Sequence, residues 1–245
     1  MLAPPPAISG GKNIGLGHPR RSFLREWAAA LTEFLLPAVC PCCQRHPGVS
    51  VCPACVGSMP VLASPCPWCA APGFVLDCRV CRGQGHRHIA EITVGWEYAE
   101  GMRELVTRAK AQGRPAAVRA CTELALMPAL PPGTPVIPVP PSPGRRPGPH
   151  LATALARRIA RETGGVFDPR LRPVRPAAEQ HFLNQSERAR NVDGLFAASA
   201  WPSPPALVCL VDDLLTSGAT ASAAAAALKA AGAKRVVLAL LARTP

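Results

Sequence analysis

The segment Val208-Cys-Leu-Val-Asp-Asp-Leu-Leu-Thr-Ser-Gly-Ala-Thr220 decides the fold of this chain of 245 residues. Its apolar beginning, residues 207–211, predicts a buried strand, and the alanine-rich stretch that follows the segment predicts a helix. Asp212 and Asp213 come directly after the strand, at the edge where open α/β sheets bind their ligands. The sequence therefore predicts an α/β fold with a ligand site at the carboxyl end of this strand.

The turn between the strand and the helix has the chemistry of a phosphate site. Backbone N–H groups and hydroxyls converge there, and the helix adds its positive N-terminal end. Asp212 and Asp213 can accept hydrogen bonds from the vicinal hydroxyls of a ribose one sugar-length away, so the spacing fits a 5-phosphoribosyl group. The residues predicted to hold its phosphate are Thr216, Ser217, Gly218, Ala219 and Thr220. A polar turn and a helix N-cap without a ligand would show the same pattern, and this alternative stays open.

The stretch VDDLLTSGAT, residues 211–220, resembles the motif with which type I phosphoribosyltransferases bind 5-phosphoribosyl diphosphate (PRPP). The resemblance implies a type I phosphoribosyltransferase fold, a parallel sheet flanked by helices. It also implies that Asp212 and Asp213 are the catalytic pair, acting on the ribose hydroxyls directly or through the water of a Mg²⁺ ion that accompanies PRPP.

Composition limits the classes of protein to which the chain can belong. The apolar fraction of 48% is that of a globular protein, and the net charge of +12 favours anionic partners such as phosphorylated metabolites or nucleic acid. The low aromatic content, 4%, disfavours a dedicated single-strand binder, which needs stacking platforms. No apolar run has the length of a membrane span and no signal peptide is evident, so we expect a cytoplasmic protein.

Nine of the eleven cysteines lie between residues 40 and 81. Eight of them form four C-x-x-C pairs: Cys40 and Cys43, Cys52 and Cys55, Cys66 and Cys69, Cys78 and Cys81. Two such pairs complete a tetrahedral thiolate site at about 2.3 Å per bond, which suits zinc, so the pattern predicts two structural zinc ions. Disulfides and an iron–sulfur cluster are the alternatives.

The spacing favours sequential pairing of the motifs, because the eight-residue gaps within each half fit a hairpin. Interleaved pairing stays open. Cys42 is predicted to be a bystander, although it can exchange with Cys40 or Cys43 as a ligand. His86 and His88 are predicted to be surface residues rather than ligands. The segment has few large apolar residues, so metal must hold it together as a double zinc ribbon.

The remaining elements follow from apolar periodicity and from the positions of glycine and proline. The predicted helices cover residues 22–36, 100–111, 116–127 and 150–161, and the predicted strands cover residues 89–98 and 135–139. Gly113 would close the second helix, and the last helix would bury Leu151, Leu155 and Ile159. Cys121 and Cys209 are predicted core residues.

The resemblance also implies a second ligand loop, for the diphosphate of PRPP, after the strand at 135–139. Arg145 and Arg146 are the predicted contacts, because guanidinium groups match phosphate oxygens. Lys110 is predicted to reach the same diphosphate, with Arg103 and Arg108 as alternatives. For each of these side chains a solvated surface position is the competing interpretation.

The order of motifs is similar to that of the ComF family of competence-associated phosphoribosyltransferases. It is carried by the four C-x-x-C pairs, Tyr98-x-x-Gly101, the Pro-Val-Pro sequence of 138–140, the acidic motif, and a loop-rich segment at 172–196 whose Gln180, Arg188 and Asn191 would form a lid or a structural pin. The resemblance implies PRPP as ligand and a link to DNA uptake.

The predicted organisation is a disordered N-terminus over 1–20, an amphipathic helix over 21–37, a double zinc ribbon over 38–88 and a phosphoribosyltransferase-like domain over 89–245. A second function also fits these residues. In it the protein is a non-catalytic adaptor whose zinc ribbon binds single-stranded DNA or the DNA-uptake machinery, and whose sheet domain senses PRPP or a nucleotide.

Overall fold

The computed structural model describes residues 39–48, 50–111, 114–141, 150–174 and 194–245. The helices in these ranges are α1 (Pro53–Gly57), α2 (Glu100–Ala111), α3 (Pro115–Leu124), α4 (Leu151–Thr163) and α5 (Ala219–Ala230). The strands are β1 (Glu91–Thr93), β2 (Trp96–Glu97), β3 (Pro135–Pro138), β4 (Val166–Phe167), β5 (Leu171–Pro173), β6 (Phe196–Ala198), β7 (Val208–Val211), β8 (Leu214–Leu215), β9 (Val236–Ala239) and β10 (Ala242–Arg243).

A five-stranded parallel sheet forms the centre of the fold, in the order β1-β9-β7-β3-β4. Strand β7, the apolar run that the sequence predicts, lies in the middle, and all four of its residues are buried. Such continuous apolar strands are typical of parallel sheets covered on both faces. The predicted mixed α/β class with a mostly parallel sheet is confirmed.

The strand order places a topological switch point between β3 and β7. From β3 the chain continues to β4 on one side, and it then returns to β7 and β9 on the other side. Where the direction of winding reverses in this way, the loops after the two strands diverge and leave a crevice outside their carboxyl ends. Asp212 and Asp213 follow β7 at this crevice.

Three neighbouring strands are interrupted at the same level and then continue as a second parallel sheet. This sheet has the order β2-β10-β8, and its strands follow β1, β9 and β7 along the chain. The predicted single strand over 89–98 is therefore wrong, because Val94 and Gly95 separate two short strands. The carbonyl oxygen of Gly95 accepts a hydrogen bond from the N–H of Leu62, outside the sheet, at 2.9 Å.

Apolar side chains cover both faces of the central sheet. Alternate residues of β7 point to opposite sides: Cys209 and Val211 belong to one buried cluster, and Val208 and Leu210 belong to the other. Helices α2, α3 and α4 fill the first side, and α5 fills the second. The predicted burial of Leu151, Leu155 and Ile159 on α4 is confirmed, as is that of Cys121 and Cys209.

Most of the predicted helices end within a few residues of the observed ones. Helix α2 has the predicted bounds, whereas α3 stops at Leu124 instead of residue 127. Ala125 is already extended, with ψ of 136°, and Pro128 follows closely, which disfavours helical backbone before it. Helix α4 continues two residues beyond residue 161 and ends where Gly164 adopts φ of 70°.

Several predictions fall on parts of the chain outside the described residues. They are the N-terminal regions 1–20 and 21–37, the helix over 22–36, Gly113, and most of the segment over 172–196. The ends of that last segment, β5 and β6, pair as an antiparallel ribbon. Among the helices that the structure describes, none has the length and apolar character needed to cross a bilayer.

Candidate functional site

The acidic pair is fixed by main-chain bonds where the sheet is interrupted. The Asp212 N–H donates to the carbonyl of Ala239 at 3.1 Å, and the carbonyl of Asp213 accepts from the N–H groups of Leu241 and Ala242 at 3.3 Å each. Asp213 is 6% exposed, whereas Asp212 is half-buried. The N–H of Asp213 also donates to Oδ1 of Asp212 at 2.8 Å, which holds the two carboxyl groups in a defined arrangement.

Lys110 forms an ion pair with the more buried of the two carboxylates. Its Nζ lies 2.9 Å from Oδ1 of Asp213, across 103 positions of sequence. Helix α2 therefore brings a cation to the crevice, next to the predicted catalytic pair. The alternatives to Lys110 have other partners: Arg108 pairs with Glu104 at 2.6 Å, and Arg103 lies over the ring of Tyr98.

The electrostatic balance of the pair favours a cation or hydroxyl donors. Burial, and then the negative charge of Asp213, raise the pKa of Asp212 to about 7, against the opposing effect of Lys110. At neutral pH the pair thus holds its second negative charge with difficulty. Mg²⁺, which prefers carboxylate and water oxygens, or sugar hydroxyls would stabilise that charge.

The turn after β8 leads into α5 through a glycine. Gly218 has φ of 75° and ψ of 1° and is the N-cap residue of α5, so it offers no side chain to cap the helix. Ser217 Oγ accepts only a long contact from the N–H of Ala219, at 3.4 Å, and Thr216, Ser217 and Thr220 are exposed. The first N–H groups of α5 therefore have no side-chain cap and lie next to three exposed hydroxyl residues, a combination that suits an anion.

His86 lies against this turn, which the sequence did not indicate. A Cβ built on Gly218 would lie 2.3 Å from both Cε1 and Nδ1 of the His86 ring. The prediction that His86 and His88 are surface residues is confirmed for His88, but His86 is half-buried. Burial and then the positive charge of Arg243 lower the pKa of His86, so at neutral pH its ring is uncharged and carries one N–H donor.

Arg243 is a second residue of this region that the sequence gave no reason to select. Strand β10 places it opposite Leu215, one residue before Thr216. Its Nη1 donates to the carbonyl of Thr244 at 3.1 Å, but its Nε is buried and has no hydrogen-bond partner among the described residues. Only the strand pairing brings this residue near the turn, because it lies 27 positions away from Thr216 in sequence.

Two predicted contacts of the diphosphate, Arg145 and Arg146, lie outside the described residues. The same holds for Gln180, Arg188 and Asn191. The described part of the crevice therefore comprises Lys110, the acidic pair, the turn over 216–220, His86 and Arg243.

The eight cysteines of the C-x-x-C pairs form two groups, each with its four sulfur atoms within 4.8 Å of one another. The first group is Cys40, Cys43, Cys52 and Cys55, and the second is Cys66, Cys69, Cys78 and Cys81. This is the sequential pairing that the spacing favours. None of the described cysteines forms a disulfide.

The sulfur positions fit a tetrahedral zinc ion in each group. The Sγ atoms of Cys43 and Cys52 are 3.9 Å apart, and those of Cys69 and Cys78 are 3.6 Å apart. Four thiolates at about 2.3 Å from zinc have edges of about 3.8 Å. Backbone N–H groups of residues 45 and 46 lower the pKa of Cys43 to about 6, whereas burial raises the pKa of Cys55 in the same group.

The loops that hold these groups are not the predicted hairpins. In the first group, Cys52 precedes helix α1, Cys55 lies within it, and a single antiparallel bridge joins Val39 to Pro47. Turns supply the second group, with no strand between Cys69 and Cys78. The sulfur of Cys42 lies outside the first group and donates to the carbonyl of Gly101 at 3.5 Å.

Comparison of the chain with models of known protein families finds no match, and a search of curated proteins finds no relative.

Proposed function

We propose that this protein binds PRPP with Mg²⁺ in the crevice after β7 and transfers its phosphoribosyl group, as a phosphoribosyltransferase similar to the ComF family. One observation carries the proposal. At the switch point of a parallel sheet, a buried aspartate paired with a lysine is followed within five residues by a left-handed glycine that begins a helix. This combination offers acceptors for a ribose and donors for its phosphate at adjacent positions.

Each described residue then has a role that follows from its chemistry. Asp212 and Asp213 accept hydrogen bonds from the ribose hydroxyls or hold the water shell of Mg²⁺, and the residues of 216–220 surround the 5-phosphate. Lys110 pairs with the Asp213 carboxylate and adds positive charge to the crevice. Mg²⁺, when bound with PRPP, neutralises the diphosphate.

In the proposed transfer, the bond between C1 of the ribose and the diphosphate oxygen breaks, and a nucleophile of the acceptor bonds to C1. Diphosphate leaves with the bonding electron pair, and the acceptor loses its proton to water. The carbon passes through an oxocarbenium-like state, in which nearby carboxylates stabilise the developing positive charge. The protein thus contributes by placing charged groups around the bond between C1 and the diphosphate as that bond breaks.

Calorimetric titration of zinc-loaded protein with PRPP and Mg²⁺ tests the proposal. We expect binding in the unchanged protein and its loss in the Asp212→Asn/Asp213→Asn double variant. A matched control, Glu123→Gln/Glu162→Gln, removes two acidic groups from exposed helical positions and should bind normally. Equal binding by the acidic-pair variant, or none by the unchanged protein, would contradict the proposal.

Diphosphate release then separates catalysis from sensing. Release that depends on an added acceptor and on the acidic pair would support the transferase. Binding of PRPP with no release across a panel of nitrogenous bases would instead support a PRPP-sensing domain.

A second candidate function, nucleic-acid binding, is favoured by a pocket between α3 and α4. The pocket has a volume of about 480 Å³, and four arginines line it together with a single acidic side chain. These arginines are Arg119, Arg157, Arg158 and Arg161. Such a surface suits the phosphate backbone of single-stranded DNA, the partner that the adaptor interpretation requires.

Titration with single-stranded DNA at several salt concentrations tests this second candidate. We expect Arg119→Glu/Arg161→Glu to weaken binding and to reduce its salt dependence, and Asp213→Asn to leave it unchanged. An affinity that does not change with salt, or that is unaffected by the arginine variant, would exclude the pocket as a DNA site.

A further inference from the structure

The residue that connects the second cysteine group to the sheet's ligand edge is His86. It follows Cys81 by five positions, and its carbonyl accepts the N–H of Ile89 at 3.2 Å just before β1 begins. The ring contacts Gly218 so closely that a Cβ there would come within 2.3 Å of two ring atoms. The chain therefore brings the end of the second zinc ribbon onto the turn where the phosphate is proposed to bind.

The ring of His86 has hydrogen-bonding capacity that the protein does not use. Within the described part of the chain, neither ring nitrogen has a hydrogen-bond partner, although the side chain is half-buried. Nε of Arg243 is the one described side-chain nitrogen or oxygen that is fully buried without a hydrogen-bond partner, so the ring nitrogens of His86 remain accessible to a ligand. Packing against Gly218 alone would be served as well by an apolar ring.

The neighbours of the ring make the position suitable for an anion. Arg243 is close enough for its charge to disfavour a protonated His86, and its Nε is buried without a partner among the described residues. Gly218 begins α5, whose first N–H groups carry the positive end of the helix dipole. The imidazole ring and the first N–H groups of α5 thus lie next to each other at Gly218.

We propose that His86 is a ligand-binding residue of the phosphate site, where its ring N–H donates to an oxygen of the 5-phosphate held by residues 216–220. The second zinc ribbon thereby supplies part of the wall of the ligand site rather than serving only as a separate module. This inference rests on the proposed function, because it requires a phosphoribosyl ligand in the crevice.

The test compares His86→Ala, His86→Asn and His86→Gln in the full zinc-loaded chain. Asn and Gln keep an N–H donor near the positions of Nδ1 and Nε2, respectively. The matched control is His88→Asn, an exposed histidine with φ of 67°, which asparagine tolerates. Zinc content and thermal unfolding are measured for every variant, and affinities are measured for PRPP with Mg²⁺, ribose 5-phosphate and diphosphate.

We expect His86→Ala to weaken PRPP and ribose 5-phosphate by about tenfold or more, as for the loss of a hydrogen bond to a charged group. Diphosphate affinity should stay unchanged, and Asn or Gln should restore most of the loss. His88→Asn should bind all three ligands normally. This ligand pattern separates a phosphate contact from a purely structural role, which would affect all ligands or only the unfolding temperature.

The outcomes distinguish this inference from the proposal on which it rests. No PRPP binding in the unchanged protein would overturn both. PRPP binding in the unchanged protein with undiminished ribose 5-phosphate affinity in His86→Ala would overturn only the role of His86. If His86→Ala fails to fold, His86→Phe keeps a ring and removes the donor: a loss of ribose 5-phosphate affinity in His86→Phe that is absent in His86→Asn or His86→Gln supports the role, and undiminished affinity in His86→Phe overturns it.

Discussion

The two cysteine groups share their ligand chemistry but are attached to the sheet domain in different ways. The first belongs to the main core: Cys40 is buried with Met59 and with Met102 of α2, and the other three cysteines of the group pack against the same cluster. The second has a small cluster of its own, formed by its cysteines, Ala71 and Phe74. The first group is therefore part of the main core, whereas the second has its own cluster and reaches the turn over 216–220 through His86.

Two similar cysteine motifs are therefore connected to one crevice through two different series of contacts, called here the first and the second route. The first route runs through packing, because α2 rests on the first group and carries Lys110 to Asp213. The second route is the contact of the His86 ring with Gly218, and the same module is also joined to the sheet by Ala70, which is buried with Ile92, and by the Pro67 carbonyl, which accepts the N–H of Ile92 at 2.7 Å. Perturbing the first group should thus change global stability, and perturbing the second should change the crevice locally.

The largest expected effect separates the two groups directly. Cys40→Ser should lower the free energy of unfolding by at least about 3 kcal/mol, because it removes a ligand and disturbs the main core. Cys66→Ser should release one zinc ion per chain yet leave the main unfolding transition close to its original temperature. Zinc analysis and calorimetric unfolding measure both, and equal shifts for the two variants would contradict the comparison.

A matched pair of glycine substitutions tests the two contact points. Gly218→Ala should cost about 2 kcal/mol or more, because the methyl group meets the His86 ring and alanine disfavours φ of 75°. Gly101→Ala should cost less, since Gly101 lies in α2, where alanine is favoured over glycine, and its methyl group meets Ser58 Oγ at 2.6 Å, which can rotate away, and the Cys55 carbonyl at 3.0 Å.

Adding His86→Ala to Gly218→Ala sharpens this result. The double variant should recover the part of the loss that comes from the ring, and it should retain about 1 kcal/mol from the backbone conformation. Denaturant unfolding of the four variants provides the measurement. Strict additivity of His86→Ala and Gly218→Ala would mean that the ring and the glycine do not interact.

The end of the first route is the ion pair of Lys110. Lys110→Met should lower stability by about 1–3 kcal/mol, because it leaves the buried Asp213 carboxylate without its cation. Arg108→Met on the same helix removes a pair whose Glu104 partner is half-exposed, and methionine keeps the packing of the largely buried Arg108 stem, so it should cost about 0.5 kcal/mol or less. Thermal unfolding compares them, and in an Asp213→Asn background the loss caused by Lys110→Met should shrink.

The smallest effect is a stabilisation that depends on pH. The pKa of Asp212 is raised to about 7, so in the folded state this carboxyl ionises only as the pH rises through 7, whereas the unfolded chain ionises near pH 4 and the protein loses stability between these two values. Asp212→Asn should therefore stabilise the protein, on the order of 1 kcal/mol, at pH 8 and less at pH 5.5. Unfolding temperatures of both proteins across this range test the sign, and a gain that grows toward low pH would contradict it.

Local patterns predicted the parts of the site that are contiguous in sequence. The strand β7, the acidic pair and the turn over 216–220 lie within thirteen residues, and the C-x-x-C spacing anticipated the two sulfur groups. Periodicity also located α2 and the buried face of α4. In each case the residues that decide the structure are neighbours along the chain, so a local sequence pattern contains all of them.

Contacts between residues far apart in sequence decided the structural features that local patterns could not predict. The interruption of β1 and β2 by Val94 and Gly95 follows from contacts with Leu62 and Leu126, which no local pattern contains. The placement of Arg243 beside Leu215 depends on strand register. His86 had no distinguishing sequence signal, because a histidine after a cysteine pair is usually exposed.

By itself, the sequence determined the chemistry available to this protein: an acidic pair before a hydroxyl-rich turn, and eight thiols in four pairs. The tertiary structure alone decided which groups meet, since it brought Lys110 to Asp213 and laid His86 on Gly218. The physical reason is that side-chain chemistry is local to each residue. Proximity across more than a hundred positions arises only when the sheet and its helices bury their apolar faces together.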